Sequence, residues 1–285
     1  MSKTLQTPSA GPDADAHERR LRSLLAAVEA PALRERVFDR VTDSVRRHAD
    51  LRTVRERHAP WREVAPGVRL RALSEGAEAR ALRPGQPLGA WIVELAPGAE
   101  WTPALATAQQ RECLVMRGEL LLDAPDIGTQ ALRALDFHGA PPGCPPRRLR
   151  SPGGARVYLR FAPRPGAADA TAGPAAAGTV AATARDAESA WHEYAPGIRR
   201  RTLWTDGVEA AYLVRAEPGA QVPAHGHRID EECLMLDGDL YLGDILLRAG
   251  DWQLAPVGVS HGLHVADSAL TLWVRGDVEL RFDDA

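Results

Sequence analysis

Gly219-Ala-Gln-Val-Pro-Ala-His225-Gly-His227-Arg-Ile-Asp-Glu231, followed by Gly250-Asp-Trp-Gln-Leu-Ala-Pro256-Val-Gly258-Val-Ser-His261, decides the reading of this chain. Side chains alternate faces along an extended strand, so His225 and His227 point the same way, and Glu231 keeps that parity if the intervening turn preserves register. With His261 supplied by the second stretch, three imidazoles and one carboxylate can converge on a single divalent ion. This donor set suits zinc, iron, manganese or nickel, and a five- or six-coordinate ion keeps an open position for water, oxygen or substrate. Cys233, two residues beyond Glu231, shares its inward parity, whereas Glu232 should point outward. Trp252 and Trp273 are candidates to line the cavity or simply to pack. His264 falls on odd parity from His261 and is expected to face away; His48, His58 and His192 are expected at the surface.

The chain says the same thing twice. Trp61-Arg-Glu-Val-Ala-Pro-Gly67-Val-Arg is echoed by Trp191-His-Glu-Tyr-Ala-Pro-Gly197-Ile-Arg, and Arg111-Glu-Cys113-Leu-Val-Met-Arg-Gly118 by Glu231-Glu-Cys233-Leu-Met-Leu-Asp-Gly238. Each copy is a series of short β-type runs punctuated by Pro-Gly, Asp-Gly and Gly-Asp turns, which predicts two tandem jelly-roll barrels, over 59–162 and 190–285. The copies differ at the site. Aligned on Pro103 and Pro223, with Trp101 read as a one-residue insertion, the first copy has Leu105, Thr107 and Arg111 at the stations of His225, His227 and Glu231. Pro146 takes the place of His261. None of these is a strong ligand and Arg111 repels a cation, so the first barrel should be metal-free and kept for packing, dimerisation or a non-metal pocket. His138 and Cys144 in the corresponding loop read as a solvated side chain and an idle thiol.

Between the copies, residues 163–189 are rich in Ala, Gly, Thr and Pro and read as a flexible linker. Residues 1–16 read as a disordered tail, and 17–58 as a helical segment. Its first helix, from about His17 to Glu29, carries Leu21, Leu24, Leu25 and Val28; its second opens at Pro31, with Leu33, Val37, Val41 and Val45 recurring every four residues. The expected architecture is mainly β, two barrels preceded by an N-terminal helical hairpin.

The composition, 45% hydrophobic and 26% charged over 285 residues, is that of a globular protein with two modest domains. Cys113, Cys144 and Cys233 are odd in number and lack a Cys-x-x-Cys pair, which argues against a disulfide framework. No apolar signal region opens the sequence and no stretch reaches membrane-spanning length, so no membrane association and a cytoplasmic location are expected. Residues 17–62 hold twelve Arg against seven Asp or Glu, leaving that segment at about +5 and the remainder at about −8. The asymmetry points to a protein partner or an intramolecular contact; because acids and bases are interleaved there and aromatic platforms are missing, it gives no ground for direct nucleic-acid binding.

The two quoted stretches resemble the two motifs of the cupin superfamily: glycine, five residues, His-x-His, Glu and then Gly238 in the first, and Gly250, Pro256, Gly258 and His261 in the second. The Asn often found four residues later is Val265 here. The phrases Trp-Arg-Glu-Val-Ala-Pro-Gly-Val and Leu-Ala-Pro-Gly-Ala, with the Glu-Cys-Leu strand, are similar to the ChrR-type cupin of anti-sigma factors, in a two-barrel form. That resemblance implies one divalent metal, zinc before iron, manganese or nickel, on His225, His227, Glu231 and His261. It also implies regulation of an oxidative-stress response, with a sigma factor held by the N-terminal helices. The family's helical domain carries a His-x-x-x-Cys-x-x-Cys zinc cluster, whereas residues 1–60 here contain no cysteine. The same metal set equally serves iron-dependent cupin dioxygenases of small diketone- or flavonol-like substrates, or a lyase or isomerase using metal-bound water. A small-molecule ligand and a homodimer are compatible with every one of these readings.

Overall fold

The computed structural model describes residues 12–26, 31–74, 89–104, 109–163, 182–278 and 281–282, which fall into two compact units, 1–51 and 52–285. Leu105 and Thr107, most of the expected tail and most of the expected linker lie outside the described residues.

In the first unit, α1 covers Pro12–Leu25 and α2 covers Pro31–Arg47. Each opens on proline, whose fixed φ and missing N–H suit the first helical position. α1 begins five residues before the expected His17 and ends before Glu29. Phe38 of α2 is buried, with the Arg22 guanidinium 3.8 Å from its ring centroid, so the two helices pack together. Leu33, Val37 and Val45, three of the four residues that recur along α2, are exposed, as is Leu24 of α1.

The second unit is one plan executed twice. One large antiparallel sheet runs, edge to edge, through Ala182–Ala184, Phe137–Ala140, Gln109–Ala124, Ala155–Pro163, Gly89–Leu95, Val68–Ser74 and Arg62–Ala65. Its counterpart runs through Arg52–Val54, Trp252–Ala255, Glu231–Asp237, Leu270–Asp277, Glu209–Ala216, Ile198–Thr205 and His192–Ala195. Shorter strands close each sheet into a jelly-roll barrel; in the second barrel these are Gln221–Val222, His264–Ala266, Asp239–Leu242 and Ile245–Arg248. The long central strand of the first barrel bends at Gly118 (φ 83°), and in the second barrel Gly238 (φ 78°) makes the same bend between Glu231–Asp237 and Asp239–Leu242. A Cβ there would stand 2.2 Å from the Gly154 carbonyl oxygen or 2.3 Å from that of Ala269, so only glycine lets the chains cross this closely.

Alternation along the strands makes three cores. Inward residues fill the first barrel (Val93, Val115, Leu122, Val157) and the second (Tyr212, Met235, Leu242, Leu272). Outward residues of the two large sheets, among them Ile92, Leu114, Leu213 and Leu234, form a third core between the barrels. Trp252 and Trp273 belong to this third core and line neither lumen, a correction that follows from their parity: both pair with Leu234, one position from Cys233.

Buried ions lie in the same interface. Arg160 of the first barrel donates through Nε to Glu232 Oε1 of the second at 2.7 Å, and Arg275 of the second stands 3.5 Å from Glu112 Oε1 of the first. Glu112 and Glu232 are equivalent positions of the repeat, so the pairs are two copies of one contact. Glu232 does point out of its own barrel, as its parity requires, and lands in a neighbour rather than in water.

The boundaries between barrels differ from those expected. Ala182–Ala184, expected as linker, pairs with Phe137–Ala140 of the first barrel, while Arg52–Val54, expected in the helical segment, pairs with Trp252–Ala255 of the second. Each barrel therefore receives its edge strand from the stretch that leads into the other. The anchors match. Thr53 Oγ1 accepts from Gln253 Nε2 at 2.9 Å, and Thr183 Oγ1 lies 3.0 Å from His138 Nδ1. Asp251 accepts the Glu56 N–H at 2.8 Å, and Asp136 accepts the Asp186 N–H at 2.7 Å. The repeat thus begins at Thr53 and Thr183, ahead of the two tryptophans.

Candidate metal centre

His225 sits on a two-residue strand, His225–Gly226, that pairs with Arg281–Phe282, and it exchanges backbone hydrogen bonds with His261 in both directions. That bridge brings the second motif onto the first. The bend between His227 and Glu231 is tied down by two carboxylates: Asp277 accepts the Arg228 N–H at 2.7 Å, and Asp230 accepts the Val257 N–H at 2.9 Å. Glu231 then opens the strand Glu231–Asp237.

All four expected residues are buried. The ligand atoms of His225, His227 and Glu231 lie within 4.8 Å of one another. Glu231 stands between two imidazoles, its Oε2 3.5 Å from His227 Nδ1 and its Oε1 3.4 Å from His261 Nε2. The His261 ring centroid is 4.9 Å from that of His227 and 5.5 Å from that of His225. His225 Nδ1 is 2.8 Å from the Pro223 carbonyl oxygen, which makes Nδ1 the protonated nitrogen and leaves the lone pair on Nε2.

The electrostatics fit a cation. Burial alone would raise the Glu231 carboxyl, but its hydrogen bond with His261 and the charges of His227, His261 and His225 outweigh burial and hold it at about 2. Burial lowers His227 despite Glu231 beside it, so its ring is neutral and available as a donor. Neither ring nitrogen of His227 has a hydrogen-bond partner, although both are buried. Leaving buried polar atoms unsatisfied costs about 1–3 kcal/mol each, and a divalent ion bound at one of them removes part of that cost.

His264 does not face away. Its ring centroid lies 4.8 Å from that of His225 and 4.9 Å from that of His261. Burial, then the neighbouring His261 and His225, push it well below its usual range, and its Nε2 is buried without a partner. Counting parity from His261 misplaced it, because Gly262 and Leu263 belong to no strand and break the alternation. The signal was available in the repeat. Gly98 N–H reaches the Ser151 carbonyl as Gly219 N–H reaches that of Ala266, which sets His264 opposite Leu149, an interior residue of the first barrel.

A cavity of about 80 Å³ occupies the lumen, bordered by His225, Glu231 and His264. Its wall is mainly apolar, from Ile198, Val214, Leu242 and Leu272, with Tyr212, Cys233 and Arg200 as exceptions. Cys233 faces inward with Glu231, as expected; burial and then the Glu231 charge raise its thiol far above the ordinary range, so it is no thiolate.

The first barrel lacks this set. Arg111 pairs with Ala140 as Glu231 pairs with Ala255, which puts a cation at the carboxylate's station. His138, expected to be solvated, is instead 2% exposed. Burial and the Arg147 charge hold it down at about 4.

Residues 179–279 match the family described as the ChrR cupin-like domain. No curated protein matches the chain in sequence. Among solved structures, a glyoxylate-induced protein of Pseudomonas aeruginosa is similar at TM-score 0.61 and 16% identity, over 83% of this chain and 92% of that one. The oxalate decarboxylase of Lactobacillus farciminis follows at TM-score 0.60 and 15% identity, over 80% and 87%. A variant of the Bacillus subtilis oxalate decarboxylase reaches TM-score 0.58 and 16%, over 80% and 78%. At these identities the likeness fixes the fold alone: two cupin barrels in one chain. Residues 179–279, the second barrel, are a ChrR-like cupin domain, and the chain as a whole has the fold of a two-barrel cupin.

Proposed function

We propose that this chain is a metal-binding regulator of the ChrR kind, with one divalent ion held by His225, His227, Glu231 and His261 and a protein partner held by the N-terminal helices. The observation that carries the metal is His227, buried with both ring nitrogens unpartnered beside a carboxylate kept ionised. When bound, the ion would supply Lewis acidity at His225, His227, Glu231 and His261; zinc is favoured, and the donor set also takes iron, manganese or nickel. The small apolar cavity admits a small molecule or oxidant as the signal. Because the Cys233 thiol stays protonated, sensing is assigned to the imidazole and carboxylate cluster rather than to a reactive cysteine.

The partner proposed is an extracytoplasmic-function sigma factor in the cytoplasm. Leu24, Leu33, Val37 and Val45 are exposed apolar residues on α1 and α2, and such a surface suits helix-in-groove packing. With no cysteine in residues 1–60, packing would have to replace the family's zinc cluster. Among the described residues no helix is long and apolar enough to cross a membrane.

A second reading, an iron-dependent dioxygenase of a small diketone- or flavonol-like substrate, gains from His264, a neutral imidazole next to the cluster that can take a proton from bound substrate. Elemental analysis of protein purified without oxygen or affinity metals separates the two. About one zinc per chain, with co-purification of a co-expressed sigma factor that Leu33→Asp/Val37→Asp abolishes, supports the regulator. About one iron, with oxygen uptake on a 1,3-dicarbonyl, supports the enzyme. No metal would overturn both.

A further inference from the structure

We infer that the lumen of the first barrel is a binding site for a small planar oxyanion, of bicarbonate or nitrate size, held by the Arg111 guanidinium beside the charge of Arg147. Arg111 is 7% exposed and occupies the station that Glu231 holds in the other barrel. One Nη donates to the Cys144 carbonyl oxygen, while its Nε is buried with no acceptor. Among the described residues, no carboxylate lies within ion-pair distance of it. A guanidinium withdrawn from water without a counter-ion is strongly disfavoured, and a bound anion removes that penalty.

Arg147, also 7% exposed, lines the same cavity. Asp126 takes its two Nη atoms at 2.6 and 2.9 Å, the Pro145 carbonyl also accepts from Nη1 at 3.0 Å, and its Nε is turned to His138 Nε2 at 3.4 Å, so Arg147 supplies charge to the lumen rather than a free donor. His138 is neutral, accepting at Nε2, with Nδ1 committed to Thr183. One carboxylate against two guanidiniums leaves the lumen with one positive charge. Glu112 and Arg160 also border the space, but they are engaged with each other and with Gln110, Glu232 and Arg275 across the barrel interface.

The cavity between these groups is about 30 Å³, walled by Cys113, Leu122, Leu149 and Leu159. It has room for roughly two or three waters, which selects a small anion over an organic acid with a side chain. A planar oxyanion matches the guanidinium fork, whereas a halide matches only its charge.

The test uses the full chain, in calorimetric titration and thermal melting, with sodium bicarbonate and sodium nitrate as probes and sodium chloride at equal ionic strength as control. Saturable binding of either oxyanion at one per chain is expected, unchanged in His225→Ala, weakened at least about tenfold in Arg111→Leu and partly restored in Arg111→Lys. The tighter of the two probes identifies the source as inorganic carbonate or nitrate. Arg111→Leu removes an uncompensated buried charge, so it should fold and melt no lower than wild type in the absence of anion, and its melting temperature should no longer rise with added oxyanion. Equal effects of chloride and oxyanions, binding lost in His225→Ala, affinity unaltered in Arg111→Leu, or no saturable heat would each overturn the assignment.

Discussion

The two barrels share a sheet order, a bend glycine and an edge-strand anchor, yet their lumens carry opposite chemistry. Where the second gathers His225, His227, Glu231 and His261, the first has Arg111 at the carboxylate's station and Arg147 beside it, with a neutral, buried His138. A jelly roll needs its inward positions filled and its buried polar groups satisfied; it does not dictate the sign of the charge it encloses. The conserved part of the plan lies on the outer faces, where Arg160–Glu232 and Arg275–Glu112 repeat one contact across the pseudo-symmetric interface.

That shared face should give the largest effect. Arg160→Met leaves Glu232 buried without its ion pair, with the Tyr158 hydroxyl 3.3 Å away as its remaining hydrogen bond among the described residues and Arg275 on the neighbouring strand, and is expected to cost roughly 3–5 kcal/mol in urea denaturation. Replacing Glu232 with leucine in the same chain should recover most of the loss; if it does not, packing rather than charge unites the barrels. Next comes the difference between lumens. His225→Ala is expected to empty the second barrel of metal, and chelation should lower the melting temperature of wild type but not of the mutant, by up to about 4 kcal/mol of linked stability at a thousandfold excess over Kd. An Arg111→Ala chain with altered metal content would break the comparison.

A third prediction concerns pH. His138 is held at about 4 against an ordinary 6.5, so the unfolded chain takes up a proton in that interval that the folded chain refuses. The stability that neutral His138 contributes is complete above about pH 6.5 and is lost as pH falls towards 4, about 3 kcal/mol in all. His138→Gln, which copies Gln253 of the second barrel, should flatten the wild-type pH dependence over that window. Identical slopes would place the acid sensitivity elsewhere. Smallest are the edge anchors: Thr53→Val and Thr183→Val should each cost about 1 kcal/mol, in matched fashion if the two anchors are equivalent.

Much of this was legible because the informative signals are local. A period of two placed Cys233 and Glu232 on their correct faces, and the repeat set Arg111 opposite Glu231. What stayed hidden depended on distance. Arg52-Thr-Val and Ala182-Thr-Ala are three-residue runs with no periodicity of their own, and nothing local says that Thr53 will meet Gln253, 200 residues on. His264 was missed where the strand lapses at Gly262 and Leu263. His138 was read as solvated because its partners, Thr183 and Arg147, come from another copy's lead-in and from a loop. The tryptophans read as lining a cavity or packing, and where they pack was not legible, because the third core exists only once two barrels face each other.

The exchanged edge strands also impose an order on biosynthesis. Thr53 leaves the ribosome 200 residues before Gln253, a delay on the order of 10–40 s at ordinary elongation rates. Throughout that interval Arg52–Val54 has no sheet to join, and the first barrel lacks its own edge until Ala182–Ala184 is made. Neither half can reach its final form as an early, self-sufficient nascent domain, so the last steps of folding must close both barrels together.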